Sequence, residues 1–155
     1  MTTEAKVTGG IIFATFIILV GGVLLLSKGE KVAPEGEVVS RNGLHWHPKL
    51  SIYIKGGKQE IPANVGIGAI HQPIHTHEDN KEGIIHMEIQ GVATKEQTKL
   101  GKFFQIWGKQ FNSSCIFDKC NSVEGTVKML VNGHENKDFE NHLMKDGNNI
   151  EIRYE

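Results

Sequence analysis

From Gly9 to Ser27 the chain reads GGIIFATFIILVGGVLLLS, nineteen residues without a charge or a polar face. As a helix this run spans roughly 28 Å, close to the hydrocarbon thickness of a bilayer. It is predicted to be a transmembrane helix. It exceeds the ~7–15 residues of a secretory signal's apolar core, and no small-x-small cleavage motif follows it. Residues 1–8 read as a short tail. Residues 28–42, which include KGEKVAPEGEVVSR, read as a polar linker.

Beyond the linker the period changes to two. In LHWHPKLSIYIKG the positions Leu44, Trp46, Leu50, Ile52 and Ile54 are apolar, whereas His45, His47, Ser51 and Tyr53 are mostly polar. That pattern predicts one long strand with a buried face, and an edge or bulge at Pro48, which lacks a donor. Gly56-Gly57 predicts a hairpin turn, with KQEIPA returning as a second strand. NVGIGAIHQP reads as loop. In GIIHMEIQG, Ile85, Met87 and Ile89 alternate with Ile84, His86 and Glu88, which predicts another strand.

From Thr94 to Phe111 the period becomes helical, with Leu100, Phe103, Phe104, Ile106 and Trp107 on one face. Thr94 or Thr98 would cap this helix and Gly108 would end it. TVKMLVNGHEN reads as strand, Asn-Gly turn and short strand. Asp138 to Met144 reads as a short helix or turn. NIEIRYE, after the Asp146-Gly147 turn, reads as the last strand. Hairpin, strand, helix, then strands predicts an α+β domain over residues 43–155: a small, mostly antiparallel or mixed sheet with one main helix across a face.

Charge narrows the function classes. Lys and Arg number 17 against 18 Asp and Glu, a net charge of −1, and no basic stripe is interleaved with aromatics. A nucleic-acid partner is therefore not expected. No P-loop, GxGxxG, kinase signature or Ser-His-Asp order is present.

Histidine is the unusual component: there are eight, six of them between His45 and His86. Positions i and i+2 of a strand share a face. His45 and His47 would therefore project together, opposite Trp46 and Ile52. His75 and His77 would do the same in an extended segment, and His86 lies opposite Ile85 and Met87. If the three segments are neighbours, His45, His47, His75, His77 and His86 meet on the face away from the core. Imidazole suits copper, zinc and nickel. Glu78, Asp79 and Glu88 are candidate further ligands, or acceptors that fix an imidazole tautomer. The competing reading is a solvated, pH-responsive histidine face. His71, His134 and His142 fall outside the predicted set.

Cys115 and Cys120 are separated by four residues. Outside the cytoplasm a disulfide pinning this loop is expected, adding roughly 2–3 kcal/mol at most. A thioredoxin-like Cys-x-x-Cys is absent, and no histidine lies close after Cys120 to make a blue-copper set. Lys6 and the N-terminal amine flank one end of the apolar run, and Lys28 and Lys31 the other, so the positive-inside rule leaves direction open. The cysteine pair and histidine face favour a single-pass cell-membrane protein whose domain lies outside the cytoplasm.

Three resemblances add to this. The set LHWHPKLSIYIKG, IHTHEDNKEGIIHMEIQG, LGKFFQIWG and VNGHENKDFENHLMKDGNNIEIRYE resembles a family of single-pass bacterial membrane proteins with HWHP, HTH and GIIHME motifs. That likeness implies an architecture and no particular activity. Residues 126–155 resemble the C-terminal half of β-grasp, ubiquitin-like domains, though the chain ends in Tyr154-Glu155 where sulfur carriers end in Gly-Gly. Gly68, His75, His77 and Glu82 resemble part of the first metal-binding motif of cupins, with a longer Gly-to-His spacing and no second motif.

The expected function is a membrane-tethered module that captures, buffers or delivers copper or zinc. Its expected partners are the bilayer, through residues 9–27, the metal ion and a membrane protein. One alternative is a metalloenzyme with a three-histidine site and Glu78, Glu82 or Glu88 as base. Another is a metal-independent interaction module with Trp46, Tyr53, Trp107 and Phe111 as contacts.

Overall fold

The structure is a computed structural model that describes Phe13, residues 15–18 and residues 33–155. It divides into two units, Met1–Ala33 and Pro34–Glu155. In the first, Phe13 and residues 15–18 are helical, and Phe13, Phe16, Ile17 and Ile18 are exposed. The rest of the predicted membrane segment, 9–27, lies outside the described residues. Among the described residues no helix is long and apolar enough to cross a membrane.

The second unit is an α+β fold. Its first strand, β1 (Val38–Ser40), pairs with β7 (Ala93–Thr94), so part of the segment read as linker is built into the domain. The single long strand expected from residue 44 is instead two, β2 (Leu44–Trp46) and β3 (Lys49–Ile54), in different sheets. The break is at His47-Pro48. Pro48 has no amide to donate, and its carbonyl accepts from the Ile85 amide (2.9 Å). β3 turns into β4 (Gly57–Gln59) through Lys55 and Gly56, both at positive φ (50° and 81°). The tight turn therefore sits one residue before the expected glycine pair, because Gly57 already pairs with Ile54.

Next come β5 (Ile74–His75), a 3₁₀ turn at Glu78–Glu82 and β6 (His86–Ile89). The expected helix is split into α1 (Lys95–Thr98) and α2 (Leu100–Trp107). Gln97 accepts from the Thr94 amide (2.8 Å), as a capping box requires. The split at Lys99 has a tertiary cause. Lys99 bridges Leu143, while the Leu100 amide bonds the His142 carbonyl and the Met144 amide bonds the Thr98 carbonyl. Gly108, at φ 70°, ends α2 as expected.

A small hairpin, β8 (Cys115–Ile116) and β9 (Lys119–Cys120), carries the Cys115–Cys120 disulfide, with 4.0 Å between Cα atoms. Three strands complete the chain: β10 (Val127–Val131), β11 (His134–Glu135) and β12 (Asn149–Tyr154). Asn132 and Gly133, at φ 52° and 82°, make the expected turn. A 3₁₀ turn at Phe139–Asn141 occupies the expected short helix.

Two sheets matter for the site. The larger has the order β11-β10-β12-β3-β4, with β3 and β12 parallel at its centre and the other pairs antiparallel. Its alternation sends Leu50, Ile52, Val127, Met129, Ile150 and Ile152 into the core, where Leu100, Phe103 and Phe104 of α2 join them. The smaller sheet is antiparallel, β2-β6-β5. Its Ile74, Met87, Leu44 and Trp46 pack on the same core. Two connected sheets with a parallel central pair are not the double antiparallel sheet of a jelly roll, which removes the structural basis for the cupin likeness.

Candidate metal centre

β6 is the middle strand of the small sheet, and its even positions face away from the core. Ile85, Met87 and Ile89 are buried, whereas His86 and Glu88 are not. On one side β5 places His75 directly opposite His86. On the other, β2 places His45 opposite Glu88, and His47 follows two residues on. Cross-strand neighbours on one face lie ~5 Å apart, so this register brings imidazoles to both flanks of His86.

The ring positions follow. His86 lies 5.0 Å from His47, 4.7 Å from His77 and 5.6 Å from His75 between centroids. His45 lies 4.7 Å from His47, and His75 lies 4.8 Å from His77. All five predicted ligands are thus brought together. Two overlapping triads result, His45/His47/His86 and His75/His77/His86, and within each the potential ligand atoms all lie within 4.8 Å of one another. Nitrogens bonded at ~2.0–2.1 Å to one tetrahedral ion sit roughly 3.3 Å apart, so side-chain rotation on the order of an ångström closes either set.

Hydrogen bonds set the tautomers. The Gln72 carbonyl accepts from His75 Nδ1 (3.1 Å), which leaves the lone pair on Nε2, 3.2 Å from His77 Nε2. Asp79 Oδ2 accepts from His86 Nε2 (2.9 Å), which leaves the lone pair on Nδ1. Glu88 Oε1 lies 3.3 Å from His45 Nε2. His75 is fully buried, and burial holds its imidazole below the ordinary range. The nearby His71 and His77 push the same way, against the Gln72 carbonyl and Glu88. The neutral, ligating form is favoured.

Asp79 carries a further signal. Its Oδ1 is shielded from solvent and has no hydrogen-bond partner among the described residues. A carboxylate oxygen in that condition costs ~1–3 kcal/mol or more unless a cation or donor meets it.

The backbone under the site is anchored by Thr76, which faces away from His75 and His77. Its hydroxyl donates to the Pro62 carbonyl (2.7 Å) and accepts from the Val65 amide (3.1 Å). The Val65 carbonyl and Asn64 amide bond the Thr76 backbone. Gly66, at φ 77°, lets this loop press on β5, since a Cβ there would sit 2.5 Å from the Ile74 carbonyl oxygen.

Some expectations fall away from the rings. Glu82 pairs with Lys49 (3.4 Å), and Glu78 is exposed at the start of its 3₁₀ turn. Of the histidines left outside the predicted set, His134 lies on β11 of the larger sheet and His142 faces Asn148 Oδ1 (3.3 Å).

Other residues join that the sequence did not select. His71 stacks edge-on against His75 at 4.3 Å, a sixth imidazole. Its signal was a histidine four positions before a His-x-His pair. Asp146 accepts from the His47 amide (2.8 Å) across 99 residues, a contact with no local signature. No protein-family model, curated protein or solved structure matches the chain, so function is argued from this geometry.

Proposed function

We propose that this domain binds a divalent copper or zinc ion through the histidine face of its small sheet, and that it captures, buffers or delivers that ion at a membrane. The observation that carries the reading is Asp79. One of its oxygens fixes the tautomer of His86, and the other is shielded from solvent with no hydrogen-bond partner among the described residues, beside two sets of converging imidazoles. A cation supplies the missing counter-charge. The donors are imidazoles and carboxylates, while both cysteines are tied in a disulfide. That set favours a divalent, borderline ion over a thiolate-seeking one.

Several features support the setting. The apolar run 9–27 and the likeness to single-pass bacterial membrane proteins support a membrane tether. The disulfide supports placement outside the cytoplasm, where a membrane-protein partner would receive or donate the ion. The sheet order around a parallel central pair, with α2 crossing between β4 and β10, supports a β-grasp-like reading of the domain.

The test is zinc and copper(II) titration of the purified full chain in detergent, by calorimetry and metal analysis. Wild type should bind stoichiometrically, and His75→Ala/His77→Ala/His86→Ala should lose that binding. Equal weak binding by both proteins would sink the idea.

A second reading, metal-dependent catalysis, draws on a recess beside the rings lined by His71, Gln72, Pro73, His75, Glu88 and Gln90. A zinc-loaded wild type that hydrolyses activated esters, with loss on Glu88→Gln, would favour it.

A further inference from the structure

We propose that the two triads form a two-position track for a single ion, with His86 as the ligand kept throughout. The inference rests on the metal-binding reading above and adds how the ion moves.

The central place of β6 makes His86 common to both triads. Its Nε2–H is committed to Asp79 Oδ2, so one lone pair, on Nδ1, remains for a metal. One lone pair cannot serve two ions. The triads are therefore alternatives, and filling one empties the other. An ion passing between them exchanges His45 and His47 for His75 and His77 while His86 stays bound. It never returns to water as a free cation, so the crossing avoids the full cost of rehydrating and then stripping the ion.

The two positions are unequal in a way that gives the track a direction. His45 is exposed, and its ring lies beside Glu88, which is also exposed. His47 is half-buried, and its ring lies 3.9 Å from Asp146 Oδ1. His75 is buried, with its Nε2 preset by the Gln72 carbonyl and already 3.2 Å from His77 Nε2, close to the spacing a bound ion demands. Thr76 pins the backbone between those two ligands. A preorganised set binds more tightly because less order is lost on binding. The His75/His77 position is therefore the holding position. The His45/His47 position is where an ion is loaded from, or surrendered to, a ligand outside the protein.

The experiment uses the full chain in detergent, stripped of metal and then supplied with zinc or copper(II). Wild type should saturate at one ion per chain, a result that needs no variant. Saturation at two ions would overturn the proposal, since both positions would then be filled at once. His45→Ala/His47→Ala should still take one ion, at the His75/His77 position, but should release it to a small chelator about tenfold more slowly. His75→Ala/His77→Ala should also take one ion, with affinity lower by about tenfold to a hundredfold and faster release. His86→Ala should lose tight binding at both positions. Unchanged release from His45→Ala/His47→Ala would overturn the relay while leaving the metal-binding reading intact. Absence of binding by wild type would overturn both. Copper(II) paramagnetic resonance on the two double variants gives a check independent of rates. The spectra should differ, and the wild-type spectrum should match that of His45→Ala/His47→Ala, with a match to the other variant counting against the assignment of the holding position.

Discussion

The outward faces of the two sheets arise from the same alternation and do different things. On the large sheet the outward residues are ordinary charges: Arg153 pairs with Glu151 at 2.5 Å, and Lys128 with Glu155 at 3.1 Å. Exposed pairs of this kind contribute ~0–1 kcal/mol each. On the small sheet the outward residues are mainly imidazoles, one of them fully buried, beside a carboxylate oxygen with no hydrogen-bond partner among the described residues. The large sheet has six-residue strands at its centre, paired in register along their full length. In the small sheet β5 has two residues and β6 four, and its geometry depends on loops pinned by Thr76 and Asp79. The difference teaches where each requirement is met. Stability resides in the long, two-sided pairing of distant strands. The site is built on the short sheet, where polar groups are held in a costly arrangement that a cation would relieve.

The comparison breaks most sharply at the core. Ile152→Ala, at a fully buried position of β12, should destabilise the domain by about 2–5 kcal/mol in denaturant unfolding. The affinity of the remaining folded protein for zinc should be unchanged. A large affinity loss in that folded fraction would show that the two sheets are not separable in this way.

Thr76→Val tests the loop support of the small sheet. It strands the Val65 amide and the Pro62 carbonyl and should cost about 1–3 kcal/mol. Unlike the core variant, it should also weaken zinc binding, measured by calorimetry at a temperature where both proteins are folded. A variant that is destabilised but binds normally would remove Thr76 from the account of the site.

Asp79→Asn separates binding from stability in the opposite sense. Zinc affinity should fall by roughly 10–100-fold, as is typical when the group that orients a ligand is altered. Metal-free stability should stay level or rise, because a solvent-shielded carboxylate is replaced by a neutral amide. A marked loss of metal-free stability would mean that the carboxylate is structural.

The smallest expected effect is on pH dependence. Burial lowers the pKa of both His75 and His142, each against opposing hydrogen bonds and charges. The unfolded chain then takes up these protons first as pH falls through the ordinary imidazole range near ~6.5. Their contribution is present above that range and lost on acidification towards the lower folded-state values. The urea midpoint of the metal-free protein should therefore fall between pH 7.5 and 5.5. His142→Gln, at a residue outside both triads, should flatten that slope in part. A midpoint that rises on acidification would contradict the direction of both shifts.

Much of the architecture was legible in the chain. The strand patterns located β3, β6, β10 and β12; of the two threonines offered as caps Thr94 starts the helical segment, and Gly108 ends it. The interruption at Lys99 was not legible, because its cause is the chain at residues 142–144 pairing across it. Nor was the division of 44–55 between two sheets. Pro48 announced an irregularity there, but what lay beside each half depended on Met87 and Ile150, which are remote in sequence.

By itself, then, the sequence determined parity: which histidines share a face, and that this face is opposite the core. Parity follows from the pleat, a property of each residue and its immediate neighbours. Tertiary structure alone decided adjacency. It made β6 the middle strand, so that His86 became common to both triads. It brought His71 over His75, and it delivered Asp146 to His47 from across the domain. Those placements come from burying distant apolar segments against one another, a free-energy gain that no local stretch of the chain contains.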